Sequence, residues 1–346
     1  MQWATIPRIG RTVLVAAAAW LGAGAAAATA AEEIRIVGSG GQSGESVKEG
    51  YIKPFMEKTG NKVTFETMAG SPLGVLQAMV ESRNITSVLV EMGGPAVAQA
   101  KALGLIEKLD WDAIAPAPLF EEAKDPSALG YQYYSVVMAW HKDAKSLTSW
   151  ADFWNVKDFP GKRALPDIPY YALPFALIAD GVPPEKLYPI DLDRAFASLN
   201  KIKDHVSVWW TSGAQPPQLL KDNEVQYAAP YSGRVAGNPD IGFTFNQGQL
   251  AISYFVVPKG ADPAKKAVAM KLLHEFTLAD NQAKAASIIS YTGGNPELDK
   301  LLPKDKLQDF PTYKPNRDKQ LLPNTAYWFE KTDEVQRRWQ EFKLGL

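Results

Sequence analysis

The feature that most restricts the fold is a regular alternation of short apolar strands with helices, joined by Gly- and Ser-rich turns. Ile34–Val37 reads as a strand, Ser39-Gly40-Gly41 as a turn, and the following helix closes at Gly60 before a second strand, Lys62–Thr67. Ser71-Pro72 has the form of an N-cap with proline at the first helical position, and Leu73, Leu76, Met79 and Val80 follow at helical spacing. A strand at Ile85–Val90 and a helix ending at Gly104 continue the rhythm. This βαβ order predicts an α/β fold with a largely parallel, helix-covered sheet.

A second series starts near Val136, with a helix at Thr148–Trp154, a strand at Lys162–Pro166 and a helix carrying Leu192, Phe196, Leu199 and Ile202 on one face. Val206–Trp210 and Val225–Ala229 read as strands, Gln249–Val257 as a longer one, and helices follow near Pro263–Leu278 and Asp280–Ile289. That is more α/β pattern than one core usually holds, and no Pro/Ser/Gly-rich tether divides it. The expectation is two lobes joined by crossovers such as Tyr133–Trp140 and Gln249–Val257, hinged around a cleft. The expected division is a signal segment over 1–30, lobe I over 31–135, lobe II over 136–250, a return to lobe I over 251–300, and a C-terminal helical segment over 301–346 packing on lobe II.

Thirty-seven basic and thirty-eight acidic residues leave a formal charge of −1, which offers nucleic acid no footprint. At the N-terminus, Arg8 and Arg11 precede the small, apolar run Thr12–Ala28 and a small-x-small site at Ala28-Thr29-Ala30, the pattern of a secretory signal peptide. The expected product is a soluble periplasmic monomer. With no cysteine anywhere, disulfides, thiolate metal sites and a cysteine-borne lipid are excluded.

The chemistry of the chain points to binding. It has no G-x-S-x-G elbow, P-loop, dinucleotide fingerprint or H-E-x-x-H motif. Its three histidines, His141, His205 and His274, stand beside Lys142, Asp204 and Glu275 in segments that read as exposed. No cofactor or metal site is expected. Polar, glycine-rich junctions stand out instead: Ser39-Gly40-Gly41, Gly70-Ser71, Gly93-Gly94 and Thr211-Ser212-Gly213. Each could cap a helix, or present N–H and hydroxyl groups to a carboxylate or phosphate beyond the carboxyl end of a strand. Aromatic residues occupy similar junctions at Tyr170-Tyr171, Trp209-Trp210 and Tyr231, where a ring can stack on a ligand. Strand alternation sends at most one of Trp209 and Trp210 into a cleft. Arg234, three residues beyond Tyr231, is the candidate for a two-pronged contact with an anionic group.

Pro54-Phe55-Met56-Glu57-Lys58-Thr59-Gly60-Asn61-Lys62-Val63, Gly104-Leu105-Ile106-Glu107-Lys108-Leu109-Asp110, Ser149-Trp150-Ala151-Asp152-Phe153-Trp154 with Pro160-Gly161-Lys162, and Val256-Val257-Pro258-Lys259-Gly260-Ala261 resemble elements of the spermidine/putrescine-type solute-binding proteins of ABC importers. The resemblance implies a two-lobed periplasmic-binding-protein fold of type II that closes on a small-molecule solute and delivers it to an inner-membrane permease with a cytoplasmic ATPase. It places the acidic positions of polyamine binders near Asp167, Tyr171 and Ser253, of which only Asp167 is acidic. Gly38-Ser39-Gly40-Gly41 stands where polyamine binders begin their first cleft loop with an aromatic residue. Unmatched ammonium groups are costly to bury, so a ligand with an anionic end, such as an amphoteric amino-acid derivative, fits these positions better than a polyamine. A polyamine is the second reading. A ferric ion at the tyrosine pair is a third, and a secreted hydrolase is a fourth.

Overall fold

The computed structural model describes residues 1–3 and 32–345; the signal segment read from Arg8 to Ala30 lies outside the described residues. β1 (Glu33–Gly38) runs parallel to both β2 (Lys62–Thr67) and β3 (Leu89–Gly93). Gly60, at φ 72°, supplies the left-handed cap that ends the helix before β2. β4 (Lys124–Asp125) folds back on β5 (Ala128–His141), and β6 (Arg163–Pro166) lies parallel to β7 (Val206–Trp210) and β8 (Tyr227–Ala228). β9 (Ile241–Val256) closes the set, giving a mixed sheet ordered β2-β1-β3-β9-β5-β8-β6-β7.

β5 and β9 tie the two series together. They pair antiparallel from Ala128–Val256 to His141–Ile241, with irregularities after Gly130 and Val136. β3 adds to one end of β9 and β8 to the other end of β5, so the two-stranded ribbon belongs to both wings of the sheet. All of β5 except Tyr134 and Trp140 is buried, which is why it reads as a continuous apolar run without alternation. Together these wings form the two-lobed, helix-flanked α/β architecture.

Separate apolar clusters support each wing. Around β1 and β3, Tyr51 stacks on Phe276 at 4.2 Å and Tyr131 on Phe255 at 4.5 Å. In the other wing Trp150 stacks on Phe175 at 3.9 Å, and the helix Thr332–Lys343 buries Trp339 and Phe342 against Phe196 and Trp209. Leu302 and Phe310 pack instead with Ala286 and Leu298. The helix Leu192–Ile202 buries the predicted stripe of Leu192, Phe196, Leu199 and Ile202.

Three local expectations shift. The strand expected from Ile85 begins only at Leu89, the strand expected over Val225–Ala229 contracts to Tyr227–Ala228, and His141 is buried, its Nδ1 accepting from Asp143 N at 3.3 Å. A helix at Pro169–Ala179 gives no amphipathic signal because nearly every residue in it is buried, leaving no polar face to set a period. No helix among the described residues is long and apolar enough to cross a membrane.

Candidate functional site

The register of the central strands assembles one wall of the site. Tyr134 faces Ala251, Gln132 and Gly93 both face Ser253, and Glu91 faces Phe255. These positions are spaced by two along their strands, so all present to the same side of the sheet.

The other wing contributes an aromatic cluster to that side. Tyr171 comes from the first turn of Pro169–Ala179, Trp210 from the end of β7, and Tyr231 from the turn that follows β8. Ring centroids of Tyr134 and Tyr231 lie 5.4 Å apart, those of Tyr134 and Tyr291 5.4 Å, those of Trp210 and Tyr231 5.2 Å, and those of Tyr171 and Tyr231 6.3 Å. Gly213 makes this approach possible: a Cβ there would sit 2.5 Å from the Tyr231 ring and 3.3 Å from Arg234 Nε. Any larger residue would push the loop after β7 off the cluster.

The electrostatics are those of a dry, hydrogen-bonding cage. Burial drives the Tyr134, Tyr171 and Tyr291 phenols far above their ordinary range, so they remain neutral. Burial also raises Tyr231, against an opposing pull from the Arg234 guanidinium. Among the described residues, the buried donors Arg234 Nε and Trp210 Nε1 find no hydrogen-bond partner. Such atoms are costly unless a partner binds, and both lie against Tyr231 and its neighbours. Among the described residues no group of three His, Asp or Glu side chains is placed to hold a metal ion. An arrangement of neutral phenols, an indole donor and a guanidinium offers donors and ring faces to a polar molecule.

Residues 50–315 match the family model of the bacterial extracellular solute-binding proteins. The chain belongs to this family. A gamma-aminobutyric acid-binding protein of Pseudomonas aeruginosa is 31% identical over 91% of this chain and 92% of its own. A solved ABC transporter substrate-binding protein from Bradyrhizobium japonicum superposes with a TM-score of 0.85 at 34% identity, over 90% of this chain and 99% of that one. A solved GABA receptor gives 0.82 at 32% identity, over 90% and 97%. The spermidine/putrescine-binding periplasmic protein of Escherichia coli is more distant, at 24% identity over 78% and 80% of the two chains. This solute-binding protein therefore serves an ABC transporter and is not an enzyme.

The residues expected to bind divide into three groups. Tyr171, Trp210, Tyr231 and Arg234 meet at the cluster, and Gly93 and Ser253 lie in the adjoining wall. Ser39 flanks that wall through Glu91, while Gly40 and Gly41 begin the helix Gly41–Val47, and Thr211 and Ser212 stand exposed on the loop that carries Gly213.

Four expectations are corrected. Ser71 is exposed and its hydroxyl accepts from Gly74 N at 3.1 Å, the work of a helix cap. Trp209 packs on Trp339 and Phe342, centroids 5.7 and 5.5 Å away, because its neighbour in the strand takes the opposite face. Asp167 turns to the same C-terminal helix, accepting from Trp339 Nε1 at 2.8 Å and pairing with Lys343. Tyr170 packs on Trp328 and lines a separate 630 Å³ cavity with Leu250, Ile252 and Tyr254, on the reverse face of the β5–β9 ribbon. The rings of Tyr170 and Tyr171 meet edge to face, centroids 5.0 Å apart, and burial raises both phenols above their ordinary range.

Sequence reasoning passed over Tyr134, Tyr291 and Glu91. Only Glu91 carried a signal, as an acid inside the otherwise apolar run from Val88 to Met92.

Proposed function

We propose that this protein captures a small amphoteric carboxylate, of the amino-acid class, between its lobes and passes it to a membrane permease. The observation that carries the proposal is the pair of buried donors, Arg234 Nε and Trp210 Nε1, with no hydrogen-bond partner among the described residues and set against neutral tyrosines. A carboxylate accepts from a guanidinium in a charge-assisted, two-pronged contact and leaves a second lone pair for the indole.

The two GABA-binding relatives support the same class. A polyamine, which carries several ammonium groups, is disfavoured because Glu91 is the one acid in the described wall and the three positions that would add more do not. The wall position Ser253 is a serine, Tyr171 is a neutral phenol, and Asp167 is committed to Trp339 and Lys343. In this reading the signal segment sends the protein to the periplasm, where it works as a monomer whose lobes close by bending the β5–β9 ribbon.

Calorimetric titration tests the assignment. Arg234→Ala should weaken binding of an amino carboxylate by about 2–5 kcal/mol, the cost of leaving a buried charge without its partner. Arg234→Lys should recover only part, since a point charge lacks the planar fork. Equal affinity in wild type and Arg234→Ala would remove the carboxylate from this site.

A further inference from the structure

Glu91 is a buried carboxylate, 4% exposed, at the centre of the site wall. Two contacts fix it. Ser39 N donates to Oε2 at 2.6 Å and Ser39 Oγ to Oε1 at 3.0 Å. Gly38 is required for this: a Cβ there would lie 2.5 Å from Oε2. Its charge raises the Tyr131, Tyr134 and Tyr291 phenols, in each case adding to burial, so it reaches the core on one side and the aromatic cluster on the other. Among the described residues no Lys, Arg or His side chain forms an ion pair with it, although the other well-buried glutamate, Glu275, has Lys58 at 2.8 Å.

The two Ser39 bonds occupy one lone pair on each Glu91 oxygen and leave the others without a hydrogen-bond donor among the described residues. A buried carboxylate is costly to retain unless a cation meets it. Arg234 presents the reciprocal case across the same rings, acting on Tyr291 and Tyr231 as Glu91 acts on Tyr291 and Tyr134. Two unpaired charges of opposite sign therefore share one aromatic cage.

We infer that Glu91, held by Ser39, is the receptor for the cationic end of the solute, so that the protein selects molecules carrying an ammonium and a carboxylate on opposite ends of a short chain. The inference rests on the Arg234 reading of the anionic end and adds a second, independent contact. Tyr291 senses both charges and the Tyr134 ring lies 5.4 Å from it, so these two rings are the surfaces offered to the connecting methylenes. A carboxylate without an amine leaves Glu91 buried beside an apolar tail, and an amine without a carboxylate leaves Arg234 in the same position.

The experiment uses matched ligands on the whole protein, which avoids dependence on any variant's folding. Calorimetry compares β-alanine, GABA and δ-aminovalerate with propionate, butyrate and valerate. At least one amino acid should bind more than about thirty-fold tighter than its amine-free partner. In Glu91→Gln, which keeps the size and an acceptor for Ser39, that ratio should fall to a few-fold, the amino acids binding more weakly and the carboxylates at least as tightly as before. Equal binding of matched pairs by wild type overturns the role of Glu91 and leaves the Arg234 reading standing. Loss of the ratio in Glu91→Gln with undiminished affinity in Arg234→Ala supports Glu91 and overturns the Arg234 reading. Failure of wild type to bind any of the amino acids overturns both.

Discussion

Asp167 and Trp339, 172 positions apart in sequence, are joined by a 2.8 Å hydrogen bond from the indole Nε1 to the carboxylate Oδ1. Lys343 pairs with the second oxygen. The C-terminal helix thus grips the turn after β6 two residues before the helix that delivers Tyr171, whereas in polyamine binders the resemblance gives that position to the ligand. Trp339→Phe keeps most of the packing on Phe196 and Trp209 and removes only the donor. It should destabilise the protein by about 1.5–3 kcal/mol without changing solute affinity. Denaturant unfolding and calorimetry separate the two, and a lost affinity at unchanged stability would place Asp167 in the binding site.

Trp210 and Trp209 answer differently to substitution because they occupy opposite faces of β7. Trp210→Phe deletes a buried donor that has no partner among the described residues, so affinity for the solute should fall by about 0.5–1.5 kcal/mol, beyond any stability lost to the smaller ring in the core. Trp209→Ala removes packing against Trp339 and Phe342 and should lower the melting temperature with affinity intact. Loss of affinity in the Trp209 variant with none in the Trp210 variant would mean that Trp209 faces the solute.

The contrast between these tryptophans marks how far the sequence could be read. Alternation established that the pair must split, but the deciding partners, Tyr231 for one and Trp339 for the other, lie 21 and 130 residues away in the chain. The βαβ rhythm, the cap at Ser71-Pro72 and the strand at Lys62–Thr67 were legible because each depends on neighbouring residues. The helix Pro169–Ala179 was not, since a segment buried on all sides has no period. Tyr134 was hidden for the same reason, within a strand apolar on both faces. Tyr291 stands in a loop, and only the isolated β-bridge between Tyr133 and Thr292 brings it to the cage. Resemblance placed Asp167 at the ligand, and the tertiary contact with Trp339 moved it away.

Tyr134, Tyr171 and Tyr291 set an alkaline limit. Their folded pKa values lie above the ordinary tyrosine value because burial penalises the phenolate. Stability from this source is complete below about pH 10 and declines as the pH climbs beyond it toward the raised values. Phenolate absorbance should show a group of tyrosines that ionise only together with unfolding. Independent titration of all thirteen near pH 10 in folded protein would contradict a closed cage.

At the acid end, Ser149 and Asp152 form a capping box at the start of Trp150–Trp154. Partial burial works against the Asp152 carboxylate, but hydrogen bonds from Thr148 and Ser149 outweigh it and hold its pKa below the usual range. The stabilisation is therefore present above the ordinary carboxylate pKa and disappears as pH drops through the lowered one. Ser149→Ala should cost about 1 kcal/mol at neutral pH, measured by urea unfolding.

The most direct test of an aromatic cage with one fixed charge at each end is a competition titration of wild-type protein with GABA, spermidine and butyrate. The account predicts saturable one-to-one binding of GABA or a close ω-amino acid, accompanied by a smaller radius of gyration, and displacement by neither the polyamine nor the amine-free acid. Tight binding of spermidine that no amino acid displaces would contradict it.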